Sequence, residues 1–78
     1  MVHPVYIGCD VSKAHLDLFD AATQKAVRIA NTGTAIDEWL ATLDGREAQV
    51  VLEATGRYDR LLCSALERWR RPYCRVNP

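Results

Sequence analysis

The sequence has no CxxC pair, no long apolar run and no surplus of charge of one sign. Its three cysteines, Cys9, Cys63 and Cys74, are odd in number and widely spaced. With Cys9 and Cys63 on apolar-patterned elements, this points to buried free thiols in a reducing compartment, with the cytoplasm as the default location. No apolar stretch approaches the roughly 20 residues of a membrane-spanning helix, so no membrane partner is expected. The start, "MVHPVYIG", lacks the basic residues and long apolar segment of a signal peptide. Ten basic residues balance ten acidic ones, so net charge gives no signal for a polyanionic partner, although a local basic face remains open. The two histidines, His3 and His15, stand alone and receive no role.

What is present fits one small folded domain. The chain has 78 residues, and 49% of them are hydrophobic, too many for a disordered segment. "PVYIGCD" is almost continuously apolar and reads as a strand with both faces covered. Gly8 inside it suggests close approach of another group. "HLDLFD" alternates, with Leu16 and Leu18 on one face and His15, Asp17 and Phe19 on the other; the short gap before it predicts an antiparallel hairpin. "KAVRIAN" alternates as well, with Val27 and Ile29 toward the core, as a third antiparallel strand.

The period then changes. Ile36, Trp39, Leu40 and Leu43 fall on one helical face, with Thr34 as the expected N-cap, Asp37 and Glu38 in the first turn and Asp44-Gly45 as the stop. "AQVVLEA" is a fourth strand ending in Glu53, followed by a Thr55-Gly56 turn. A second helix carries Tyr58, Leu61, Leu62, Ala65, Leu66 and Trp69 on one stripe and ends at Pro72. Trp39 and Trp69 are expected as core anchors. "YCRVN" is a last strand, and the chain stops there without a C-terminal cap, as a piece of a longer protein would. The expected fold class is therefore α/β, in the order β-β-β-α-β-α-β. Strands 1 to 3 are antiparallel and strands 1, 4 and 5 parallel through right-handed crossovers.

Two acids stand out in this arrangement. Asp10 and Glu53 each close an apolar strand and precede a turn. If their strands are parallel neighbours, about 4.8 Å apart, both carboxylates emerge at one sheet edge, the edge at which open α/β sheets bind ligands. Side by side they repel, and a divalent cation removes the conflict. Hard oxygen ligands without a His or Cys cluster suit Mg²⁺ or Mn²⁺, which points to phosphoryl chemistry on a nucleotide or nucleic acid. Each acid also has a plainer reading: Asp10 as a turn residue accepting backbone N–H groups, Glu53 as a solvated acid or a partner of Arg57. Lys13, Arg57 and Arg60 are candidate phosphate contacts, against the alternative of solvated basic side chains. Arg57, Arg60, Arg68, Arg70 and Arg71 make the outer side of the second helix basic, although Asp59 and Glu67 interrupt it. Asp17 and Asp20 read as solvent-side strand and turn residues.

The blocks "IGCDVSKAHLDL", "VVLEATGRYDRLLCSALER" and "YCRVNP" together resemble the N-terminal part of the DEDD-type insertion-sequence transposases, the group that includes the Piv/MooV DNA invertases. The resemblance spans nearly the whole chain. Cys9 stands where Ile or Val is commoner, and Arg57 follows the glycine. The resemblance implies an RNase H-like fold of the RuvC type, so that residues 1–78 would be the N-terminal part of a catalytic domain. It implies four acids binding Mg²⁺ or Mn²⁺ for DNA strand cleavage and transfer, with Asp10 the first and Glu53 the second. The other two, and a C-terminal serine-bearing domain, would lie beyond Pro78. It further implies DNA as substrate, a structured guide RNA as partner and an oligomeric parent protein. The 78-residue chain alone is then expected to fold, to bind metal weakly and to be catalytically inert. Two rival classes remain open from the residues: a fragment of an actin-like ATPase or sugar kinase, although the turn after Asp10 lacks the glycine of a phosphate cradle, and a non-catalytic interaction module.

Overall fold

A computed structural model describes residues 5–53 and 56–76. Among these residues seven elements follow in order: β1 (Val5–Val11), β2 (His15–Asp20), β3 (Lys25–Ala30), α1 (Gly33–Ala41), β4 (Ala48–Glu53), α2 (Arg60–Arg68) and β5 (Tyr73–Val76). The strands form one five-stranded sheet in the order β3-β2-β1-β4-β5. The pairs β1–β2 and β2–β3 are antiparallel, whereas β1–β4 and β4–β5 are parallel, as the sequence pattern predicts. The molecule is thus a mixed α/β domain with two helices. No helix among the described residues is long and apolar enough to cross a membrane.

Period-two alternation decides which side of the sheet is covered. Ile7, Cys9 and Val11 of β1, Leu16 and Leu18 of β2, and Ala48, Val50 and Leu52 of β4 are buried. They meet Ile36, Leu40 and Leu43 from the first helical segment and Leu62, Ala65 and Leu66 from α2 in one core. Both helices therefore lie on the same side. The opposite sheet face carries Tyr6, Gly8 and Asp10 of β1, all exposed. This corrects the expectation that both faces of β1 are covered: the apolar run is continuous in sequence, but only every second residue enters the core. Gly8 is corrected with it. No atom lies within 4 Å of where a Cβ would stand, so Gly8 leaves the open face low instead of admitting a neighbour.

The helix boundaries differ from expectation for local reasons. Thr32, not Thr34, is the cap of α1: its backbone is extended, and its hydroxyl accepts the Ala35 N–H at 3.2 Å. The shift moves Asp37 and Glu38 out of the first turn. The helix ends at Ala41, and Gly45, with φ +79, serves the loop that follows. In α2 the core stripe is narrower than the pattern suggested. Tyr58, Leu61 and Trp69 are exposed, so Trp69 is not a core anchor. Its indole N–H instead donates to Asp37 Oδ1 at 2.9 Å, tying α2 to α1, while Trp39 packs half-buried against the core. Val27 is also exposed, at the free edge that β3 forms. Thr55 of the expected turn, Ala54, and Asn77 and Pro78 of the last motif lie outside the described residues.

The C-terminal turn of α2 closes with a Schellman motif. The Arg71 N–H donates to Leu66 O and the Arg70 N–H to Glu67 O, with Arg70 in the left-handed region at φ 54. The Arg71 guanidinium then reaches the carbonyls of Leu43 and Arg46, the loop that leads into β4.

Candidate functional site

Asp10 is the sixth residue of β1 and Glu53 the last of β4. The parallel register runs from Val5↔Ala48 to Cys9↔Leu52, so its next step sets Asp10 beside Glu53. Cys9 and Leu52 point into the core, and therefore both carboxylates project from the open face at the same sheet edge. They line one hollow of about 630 Å³, together with Gly8, Phe19 and Val51.

The turn after Asp10 is satisfied without it. Ser12 N–H donates to His15 O at 2.9 Å, and the Ser12 hydroxyl both donates to that carbonyl and accepts the His15 N–H. Among the described residues the Asp10 and Glu53 carboxylates take part in no hydrogen bond or ion pair, and Glu53 is not paired with Arg57.

A third carboxylate shares the row. Asp17 of β2 lies directly opposite Asp10. Hydrogen-bonded and non-bonded pairs alternate from Ser12–His15, which makes Asp10–Asp17 a bonded pair with Cα atoms about 5.5 Å apart. Asp17 lines the same hollow. Strand alternation alone marks it only as a solvent-side residue. The signal that finds it is the hairpin register: a two-residue turn at Lys13-Ala14 fixes position 10 against position 17. Asp17 is already engaged, however. Arg28, its partner on β3, grips both carboxylate oxygens at 2.8 and 3.2 Å, and this bond holds the carboxyl below the usual aspartate range. The row across the open face is therefore Arg28, Asp17, Asp10, Glu53 and Val76.

The thiol behind the row is inert. Burial pushes the Cys9 thiol up to about 12, and the charges of Asp10 and Asp17 add to the effect. Cys9 points into the core, on the face opposite Asp10 and Glu53, and offers that edge no soft ligand. The donors available to a cation are thus exposed carboxylate oxygens. Among the described residues no group of three or more His, Cys, Asp or Glu side chains is arranged to hold a metal ion. Two free hard donors fit Mg²⁺ or Mn²⁺, which keep most of their waters, and do not fit zinc.

Asn31 fixes this edge to the helix layer. Its side-chain amide donates to Ser12 O and to Tyr58 O, both at 2.9 Å, and its backbone N–H donates to Ala14 O. One side chain therefore joins the turn after Asp10 to the segment that leads from Glu53 into α2.

The predicted phosphate contacts are not gathered at the acids. Lys13 is exposed at the hairpin tip and does not line their hollow. Arg57 and Arg60 line other hollows, at the start of α2. No protein-family model matches the chain, and comparison with curated proteins likewise gives no match.

Proposed function

We propose that this chain forms the first part of an RNase H-like, RuvC-type catalytic domain of a DEDD-type transposase or DNA invertase, acting in divalent-metal-dependent DNA strand cleavage and transfer. The observation that carries the reading is the placement of Asp10 and Glu53: adjacent parallel strands, one sheet edge, one open face, and no protein partner among the described residues. The strand directions agree with the fold that the motifs imply, with β1 to β3 antiparallel and β1, β4 and β5 parallel. A nucleotide-cradling reading is disfavoured by the turn after Asp10, which Ser12 and His15 close across only two residues.

In this reading Asp10 and Glu53 would hold Mg²⁺ or Mn²⁺. The bound ion would supply activation of the attacking oxygen and stabilisation of charge at the leaving oxygen of a phosphodiester. The chain's own part is to hold the two carboxylates at one edge. The parallel backbone pairing sets their spacing, Asn31 ties the two flanking segments, and the open face leaves room for the substrate backbone. Arg57 and Arg60, and Lys13 at the hairpin tip, would contact phosphates. DNA is the proposed substrate, with a structured guide RNA as a partner of the longer protein.

The reading is tested by DNA nicking. A protein that carries this chain together with the remaining acids should nick DNA only with Mg²⁺ or Mn²⁺, and Asp10→Ala or Glu53→Ala should abolish the reaction. The 78-residue chain alone should not nick. Nicking that survives Asp10→Ala would overturn the proposal.

A further inference from the structure

The sequence pattern put Tyr58 and Leu61 in the core, yet both are exposed, at 45% and 49%. Tyr58 follows Arg57 and Leu61 follows Arg60. Arg57, Arg60, Leu61 and Ser64 recur at helical spacing, and with Tyr58 they line a hollow of about 490 Å³ on the outer side of α2. Arg57 and Arg60 also line the neighbouring hollow beneath α2, which contains Arg75. Among the described residues neither Arg57 nor Arg60 enters an ion pair, whereas the acid closest in sequence, Asp59, is buried and held by Arg75 at 2.9 Å. Glu67 is the other acid of that second hollow. The outer hollow thus combines an aromatic ring, an aliphatic side chain and two cations with no acid in its lining.

That combination is complementary to one kind of partner. A double helix offers phosphates but hides its base faces. A single strand offers phosphates and unpaired bases, and bases stack on aromatic side chains regardless of sequence. The geometry points to the outer face of α2 as a docking site for single-stranded nucleic acid, with a base against Tyr58 and Leu61 and the flanking phosphates on Arg57 and Arg60. The site lies at the same edge as the acids, because Asn31 bonds both Tyr58 O and Ser12 O, two residues beyond Asp10. The two hollows share no lining residue, so this site does not use the acid pair. The inference rests on the nucleic-acid part of the proposed function and is independent of metal binding.

Fluorescence anisotropy of the 78-residue chain with labelled dT20 and rU20, and with a duplex of equal length as competitor, tests it. Either single strand should bind and the duplex should compete poorly. Tyr58→Ala should weaken binding about 5- to 150-fold, the loss of one base stack, and Tyr58→Phe should restore it. Arg57→Gln with Arg60→Gln should lower the slope of log affinity against log salt by about 1.4, two phosphates' worth for a single strand. Asp10→Asn and Glu53→Gln should not weaken binding, which separates this site from the acid pair. Equal binding of Tyr58→Ala and the unaltered chain would overturn the inference, as would preference for duplex. Absence of nucleic-acid binding would also overturn it and leave the patch as a protein-docking face. Circular dichroism of each variant confirms that folding is retained, as expected for exposed side chains.

Discussion

Asn31 joins two chain segments with one amide. Both of its N–H groups are spent on carbonyls, one after Asp10 and one before α2. Replacing it with Ala leaves those acceptors without a protein donor and should cost about 1–3 kcal/mol in urea unfolding. Asn31→Asp should cost more, because a carboxylate would face two carbonyl oxygens. Asp10 and Glu53 call for the opposite result. Two like charges at adjacent positions, with no compensating cation, oppose the folded state. Asp10→Asn or Glu53→Gln should therefore raise the melting temperature of the metal-free protein, although either change removes a ligand. At this scale the sequence was most legible where a residue's role depended on its strand position. Asp10 and Glu53 could be found by counting along two apolar runs. Asp17 could not, because its place beside Asp10 depends on the hairpin register, and Tyr58 and Leu61 could not, because the stripe of α2 gives no indication of how wide a face the sheet covers.

The helices are held by their ends and by one another. Asp37 accepts from Trp69 Nε1 and Arg68 Nη2, and the Trp69 bond, more than the Arg68 charge, lowers its pKa below the usual aspartate value. A depressed folded-state value means that the contribution is present above the unfolded value, about pH 4, and is lost as pH falls through the folded one. Melting temperature should therefore drop on acidification below about pH 4, with Asp20, held low chiefly by Arg46, contributing in the same sense. Asp37→Asn should flatten that dependence. At the other end of α2, Arg70 adopts a left-handed conformation that glycine occupies more readily. Arg70→Gly should stabilise the protein by about 0.5–1 kcal/mol, or roughly 2–8 °C in melting temperature for a domain of this size. Element order and type could be read from periodicity. Boundaries could not, since Thr32 and Thr34 are both acceptable caps and only packing of Ile36 and Leu40 selects the first.

For the whole molecule, the decisive feature is a sheet that the described residues cover on one side only. The helix layer supplies the core, and the open side presents a row that runs from an ion pair, Arg28–Asp17, to Asp10 and Glu53, two acids without a side-chain partner among the described residues. The near-continuous apolar run of β1 concealed this asymmetry, because Tyr6 and Gly8 look like core residues until the helices are placed. The proposed function rests on Asp10 and Glu53 acting as a cation site. Manganese titration of the ¹⁵N-labelled chain, followed by paramagnetic broadening of amide signals, tests it most directly. Signals of residues 9–11 and of Leu52 and Glu53 should broaden first and those of Asp17 and Leu18 next, and Asp10→Asn with Glu53→Gln should remove the effect. Unchanged broadening in that double variant, or broadening confined to other surface acids such as Asp44 and Glu47, would contradict it.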